Sequence, residues 1–156
     1  MIADPEMGPT ERDYEAEFEA WLIGRSCTII RREHGWTIDL GDGATITIAV
    51  PWRIVSQGRI AFADRDDGHS FGLPAPLDGE VETRRLLTGK RIVSAKVDRQ
   101  TADIALLFDS ETRLDVFNSS SGYEGWEARC KVELGWIWLI AQGGGNIVVF
   151  TDDAVN

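Results

Sequence analysis

Chemistry could be housed at four places in this chain of 156 residues: two histidines, a run of aspartates, a glutamate between aromatic residues, and a triple glycine. His34 stands in the turn-like Glu33-His34-Gly35 and His69 in the polar stretch Asp64–Ser70. Neither belongs to an H-E-x-x-H helix or a G-x-S-x-G elbow, and a Ser-His-Asp triad would have to be assembled entirely by the fold. Both are read as solvent-facing turn residues. Asp64, Asp66 and Asp67 precede Gly68, and clustered carboxylates suit a hard cation. Placing Gly68 at the sixth position of a calcium loop, however, puts Ala63 and Pro74 where the outer carboxylate ligands belong. A solvated loop is the expectation, with no metal and no cofactor. Gly143–Gly145 lack the lysine and following helix of a phosphate cradle and are read as a bulge or tight reversal. Glu124 stands between Tyr123 and Trp126; held among rings it could act as an acid, but the reading adopted is a carboxylate that pins the connector.

Five of the six tryptophans raise a second idea, binding rather than catalysis. Trp36, Trp52, Trp126, Trp136 and Trp138, with Glu124, could line a ligand pocket; in a small β domain such residues are first of all core. Cys27 and Cys130 have neither CxxC spacing nor a histidine nearby, and are expected to be buried free thiols inside strands. The net charge is −10, and residues 1–20 hold seven acids against Arg12 alone. Without a basic stripe the chain is a poor match for nucleic acid, whereas a basic protein partner suits it. Glu11, Glu15 and Glu19 on an N-terminal helix are the candidate contacts for such a partner. No apolar run is long enough to cross a bilayer, and the first ten residues lack the pattern of a secretory signal, so a cytoplasmic location is expected.

The elements that must position these residues follow from periodicity. Residues 1–9 read as a loose tail and 10–156 as one β-rich domain. A helix is expected from Glu11 to Ile23, capped at Thr10 and stopped at Gly24, with Tyr14, Phe18, Trp21 and Leu22 on one face. The period then changes to two: strands at Arg25–Arg31, Trp36–Leu40 and Thr45–Val50, the last two joined at Asp42-Gly43. A hairpin turning at Gln57-Gly58 joins Trp52–Ser56 to Arg59–Ala63. Asp78 caps a short helix ending near Leu87. A second meander, Arg91–Asp98, Asp103–Phe108 and Thr112–Phe117, parallels the first, so that 24–50 and 89–117 form a candidate internal repeat. Trp126–Val132 alternates apolar with polar residues. Trp136–Ala141 is apolar on both faces, which predicts a strand buried on both sides. The class expected is mainly β, an antiparallel β-sandwich or partly open barrel built from two three-stranded meanders, with an N-terminal amphipathic helix and one short middle helix.

The strands led by Gly24-Arg25 and Gly89-Lys90, the Asp42-Gly43 hairpin, Tyr123-Glu124-Gly125-Trp126, and Gly143–Gly145 followed by Ile147–Phe150 resemble a family of small bacterial proteins catalogued only as a domain of unknown function. The resemblance spans about Trp21 to Phe150 and implies a fold but no activity. From the residues, the leading expectation is a non-enzymatic protein-binding module of immunity or adaptor type, meeting a basic partner through the acidic helix or an exposed sheet edge. The alternatives are a small-molecule-binding β-barrel with a tryptophan-lined pocket, and a hydrolase using Glu124 or a histidine.

Overall fold

The computed structural model describes residues 12–133 and 135–152. Among the described residues there are two α-helices and eleven strands: α1 (Tyr14–Leu22), β1 (Thr28–Arg32), β2 (Gly35–Gly41), β3 (Ala44–Ile48), β4 (Trp52–Ser56), β5 (Arg59–Ala63), α2 (Gly79–Leu87), β6 (Ile92–Val97), β7 (Ile104–Phe108), β8 (Thr112–Val116), β9 (Trp126–Val132), β10 (Gly135–Ala141) and β11 (Ile147–Thr151). They form two antiparallel sheets, β1-β2-β3-β9-β10-β11 and β5-β4-β8-β7-β6, with no closed barrel. The expected mainly β sandwich with two helices is what is found. No helix among the described residues is long and apolar enough to cross a membrane.

The local grammar is largely that of the sequence. Asp42 and Gly43 adopt φ of 56° and 80°, and Gln57 and Gly58 adopt 52° and 79°; two positive φ angles in succession are what a tight two-residue hairpin needs. Asp78 caps α2 by accepting a hydrogen bond from the Glu80 N–H. At α1 the cap is Asp13, whose carboxylate accepts from the Ala16 N–H, rather than Thr10, which with Glu11 and the tail lies outside the described residues. Gly24, at φ 86°, ends the helix as expected. The first strand begins at Thr28, so Cys27 precedes it; Cys130 is within β9, and both cysteines are buried and free.

The order of strands carries a reciprocal exchange. Each sheet takes a complete meander from one half of the chain and completes itself with strands from the other. β4 leaves the first meander to pair with β8, and β9 leaves the second to pair with β3. The two crossings are fixed by matching bonds, Phe117 N–H to the Pro51 carbonyl (2.9 Å) and Ala49 N–H to the Gly125 carbonyl (2.8 Å). The helices exchange too: α1 packs on β6 and β9, α2 on β1 and β5. Phe18, Leu22, Ile38, Ile46, Ile54, Leu106, Leu114 and Leu139 are buried together in one core to which both sheets and α1 contribute. Burying such side chains is worth about 1.5–3 kcal/mol each.

One strand departs from expectation. β10 is buried on one face only: Ile137, Leu139 and Ala141 face the core, while Trp136, Trp138 and Ile140 are half-buried on the outside. Neither of the two α-helices among the described residues is packed on β10. The Arg129 guanidinium lies across it instead, 4.1 Å from the Trp136 ring and 5.9 Å from that of Trp138, supplying the cover that a second layer would otherwise give.

Candidate functional site

The sequence-level candidates are dispersed by the fold. Trp36, Trp52 and Trp126 are core residues: Trp36 meets Trp52 edge to face, Trp52 packs on Phe62, and Trp126 stacks on Phe18 while its indole N–H donates to the Ala102 carbonyl at 2.7 Å. Trp136 and Trp138 lie on the opposite face of the same sheet as Trp126, so the six residues proposed for a pocket cannot line one. Glu124 is exposed on the connector next to an exposed Tyr123, at the edge of a shallow hollow with Thr47, Ala49 and Glu127; it is not enclosed by rings. His34 is exposed beside Glu33, and His69 stacks on Phe71. Among the described residues no cluster of three or more His, Cys, Asp or Glu side chains is placed to hold a metal ion.

The acidic helix is engaged within the chain. Glu15 and Glu19 both pair with Arg99 from the β6–β7 turn, and Glu19 also accepts the Val97 N–H of β6. Carboxylates already holding a guanidinium and a strand edge have less to offer a partner. Glu11 lies outside the described residues. The triple glycine serves packing: a Cβ on Gly145, whose φ is 109°, would run into the carbonyl oxygen of Gln100, and one on Gly143 into the backbone of Gly122.

What the fold does build is a stapled loop. Between β5 and α2 the chain makes an excursion from Asp67 to Asp78. Both ends are held by Arg31, which reaches across from β1. Its Nε and Nη2 donate to the two oxygens of Asp67, at 2.8 Å each, and Nη2 also donates to Asp78 at 2.9 Å. The planar fork matches a carboxylate in a way a lysine would not. Glu80 adds to the cluster, accepting from the Arg31 N–H (3.1 Å) and lying near its guanidinium. Asp67 also accepts the first amide of α2, Gly79 N–H, at 2.7 Å. Gly79 is needed there because a Cβ would collide with the Trp36 ring, over which Arg31 lies at 5.3 Å. The Arg31 hydrogen bonds hold the Asp67 and Asp78 carboxyls below the ordinary aspartate range, and the same bonds raise the guanidinium's own value. Nearby Asp64 moves the other way, pushed up chiefly by burial.

Inside the staple the backbone is tied again. Gly68 N–H donates to the Leu77 carbonyl (2.8 Å), Leu77 N–H to that of His69 (2.9 Å), and Leu73 N–H to that of Ser70 (2.7 Å). The tip carries Phe71, 67% exposed, and Leu73, 51% exposed. Phe71 adopts φ 46°, a region costly for a bulky side chain and found where surrounding structure over-determines the conformation. The sequence showed an acidic run and a Gly-Leu-Pro-Ala-Pro stretch here. It gave no sign that Arg31, distant in sequence, closes the loop. Comparison with protein-family models, with curated proteins and with solved structures gave no match to this chain.

Proposed function

We propose that the chain is a non-enzymatic protein-binding module, of immunity or adaptor type, that docks by inserting the Phe71–Leu73 tip into an apolar pocket of a basic protein. One observation carries this: two large apolar side chains are held out in water, one of them with an unfavourable φ, on a loop whose ends are stapled by Arg31. Ordering a loop costs binding energy, and a loop ordered beforehand has met that cost during folding. Loops on a rigid scaffold are also where recognition residues concentrate. The partner's charge follows from the surroundings. Three carboxylates, Asp67, Asp78 and Glu80, share the single charge of Arg31, and Asp64 and Asp66 stand with Arg65 alone, so the loop keeps an excess of negative charge after its internal pairing, in a chain of net charge −10. A rim of Lys and Arg around the receiving pocket would complement this surface and speed encounter. The basic partner expected from the sequence is thus kept, with its contact moved from the acidic helix to the loop.

The test places a photo-crosslinking phenylalanine analogue at position 71 of the full chain, exposed to lysate of the source cell, with a second chain carrying it at position 150. Crosslinking from position 71 to one basic protein, weakening as salt rises and competed by the wild type but not by the Phe71→Ser/Leu73→Ser variant, is the expected result. Equal competition by that variant, or crosslinks from position 150 alone, would overturn the reading. Because both side chains are exposed, the double variant should keep the stability of the wild type within about 0.5 kcal/mol.

A further inference from the structure

Residues 12–67 carry α1 and β1–β5, and residues 78–152 carry α2 and β6–β11. Neither half is finished without the other. β4 takes β8 as its neighbour, and β3 takes β9. α1 packs on β6 and β9, both of the second half, and α2 packs on β1 and β5, both of the first. Single hydrogen bonds repeat the pattern. Glu19 of α1 accepts the Val97 N–H of β6 at 2.6 Å, and Glu80 of α2 accepts the Arg31 N–H of β1 at 3.1 Å. On the outer face of the second sheet, Arg53 of β4 donates to Asp115 of β8 at 3.2 Å. Each of these contacts joins one half to the other, and the chain that links the halves is the loop 68–77. That loop is costly to close. Phe71 is held at φ 46°, and Pro74 and Pro76 favour extended backbone and supply no amide donor.

We infer that the chain exchanges its halves with a second copy, residues 12–67 of each packing on residues 78–152 of the other about a two-fold axis, with 68–77 as the hinge. The partner is set by the interface already present within the chain. When the halves separate, the surface each uncovers fits residues of this same sequence, and a second copy supplies them in the same register. α1 on the partner's β6, β4 beside the partner's β8 and Arg31 on the partner's Asp78 reproduce what one chain makes alone. Only the loop differs. Opened, residues 68–77 reach up to about 33 Å, enough to pass from one lobe to the next. Phe71 then leaves its unfavourable φ, and the bonds from the Gly68 and Leu77 N–H groups that close the loop are given up. Strain in a hinge favours exchange of this kind, and mass action makes it depend on protein concentration. Interchange requires all the contacts between the halves to break together, so both forms persist once made. The exchange is independent of what the Phe71–Leu73 tip binds.

The test refolds the full chain from denaturant at low and at high protein concentration and reads mass by sedimentation velocity and native mass spectrometry. The expected result is a dimer that forms at the higher concentration and survives dilution, where a surface association would fall apart. Phe71→Gly, which takes a positive φ without strain, should lower the dimer yield at one concentration by about tenfold. Arg53→Asp and Asp115→Arg identify the exchange itself. Each alone sets like charges side by side, but an exchanged pair of the two chains joins Asp to Arg in one lobe and restores Arg53 with Asp115 in the other. Refolded together they should therefore form the mixed dimer in preference to either chain with itself. A wild type that refolds only to monomer at every concentration, a dimer that dissociates at once on dilution, a yield that Phe71→Gly leaves unchanged, or a mixed dimer no more abundant than random pairing gives, would overturn the inference.

Discussion

Arg31→Ala removes the guanidinium that joins the two ends of the Phe71–Leu73 loop, and its effect can be worked out from the geometry. The bidentate pair with Asp67 is the strongest element, because both contacts are 2.8 Å and the Asp67 side chain is only 21% exposed. Such a pair at a half-open site is worth about 1–2 kcal/mol, after allowance for screening of the 40% exposed arginine. Asp78 and Glu80 push in the same direction, since removal of the cation leaves three carboxylates facing one another. A loss of this size corresponds to about a five- to thirtyfold rise in local opening. The assay is native-state amide exchange at Gly68, Leu73 and Leu77, whose N–H groups close the loop, with Ile46 and Ala128 in the central strands as internal reference. The loop amides should lose protection while the reference amides change little. Arg31→Lys should behave more like the alanine variant than the wild type, because it keeps the charge but not the fork. The pH dependence has a definite sign. Asp67 has its folded value depressed, so its contribution is fully present above the ordinary aspartate value of 3.8 and is lost as pH falls through the lower folded value. Loop protection factors should therefore hold level from neutrality to about pH 4 and fall below it, and that step should be smaller in Arg31→Ala, where Asp67 keeps only its bond from the Gly79 N–H. Unchanged protection at the three loop amides, or an equal loss at Ile46 and Ala128, would refute the staple.

Two further expectations rest on other parts of the molecule. Gly145→Ala must place a Cβ against the Gln100 carbonyl at a positive φ, and should lower stability by about 2–4 kcal/mol in urea unfolding, whereas Gly24→Ala, with open space around it, should cost only about 1 kcal/mol. Burial pushes both thiols up to about 12, so Cys27 and Cys130 should resist a thiol-reactive chromophore at pH 8 in the native protein and react at once in denaturant; a fast native phase would refute this.

Elements specified by neighbours in sequence were legible, and those specified across space were not. Asp42-Gly43 and Gln57-Gly58 identify their hairpins because the residue types fit the φ angles, and Asp78 identifies the start of α2 because a short carboxylate can reach the amides behind it. In the Trp136–Ala141 run, apolar residues on both faces imply two covering layers, whereas an arginine from the neighbouring strand lies over the second face. The pocket failed for a related reason. The alternation that puts Trp126 inward puts Trp136 and Trp138 outward, but only the β9–β10 register shows that they share a sheet. The stapled loop was the least accessible. Asp67 and Asp78 were visible as a loop acid and a helix cap, and their common partner depends on β1 lying beside α2, a consequence of the exchange between the halves.

That exchange has a consequence for how the protein is made. During synthesis the β4–β5 hairpin leaves the ribosome before β8, the strand it pairs with, has been translated; the first meander likewise waits for β9 to add to its β3 edge. Neither sheet can be completed from an N-terminal fragment. The nascent chain must keep the apolar side chains of the β4–β5 hairpin, such as Ile54 and Phe62, without the β8 strand and the rest of their core until most of it has emerged, and pairings so distant in sequence form slowly. The same interleaving should let a chain cut in the exposed stretch 71–76, between β5 and β6, persist as two fragments that hold each other, since each sheet then contains strands from both.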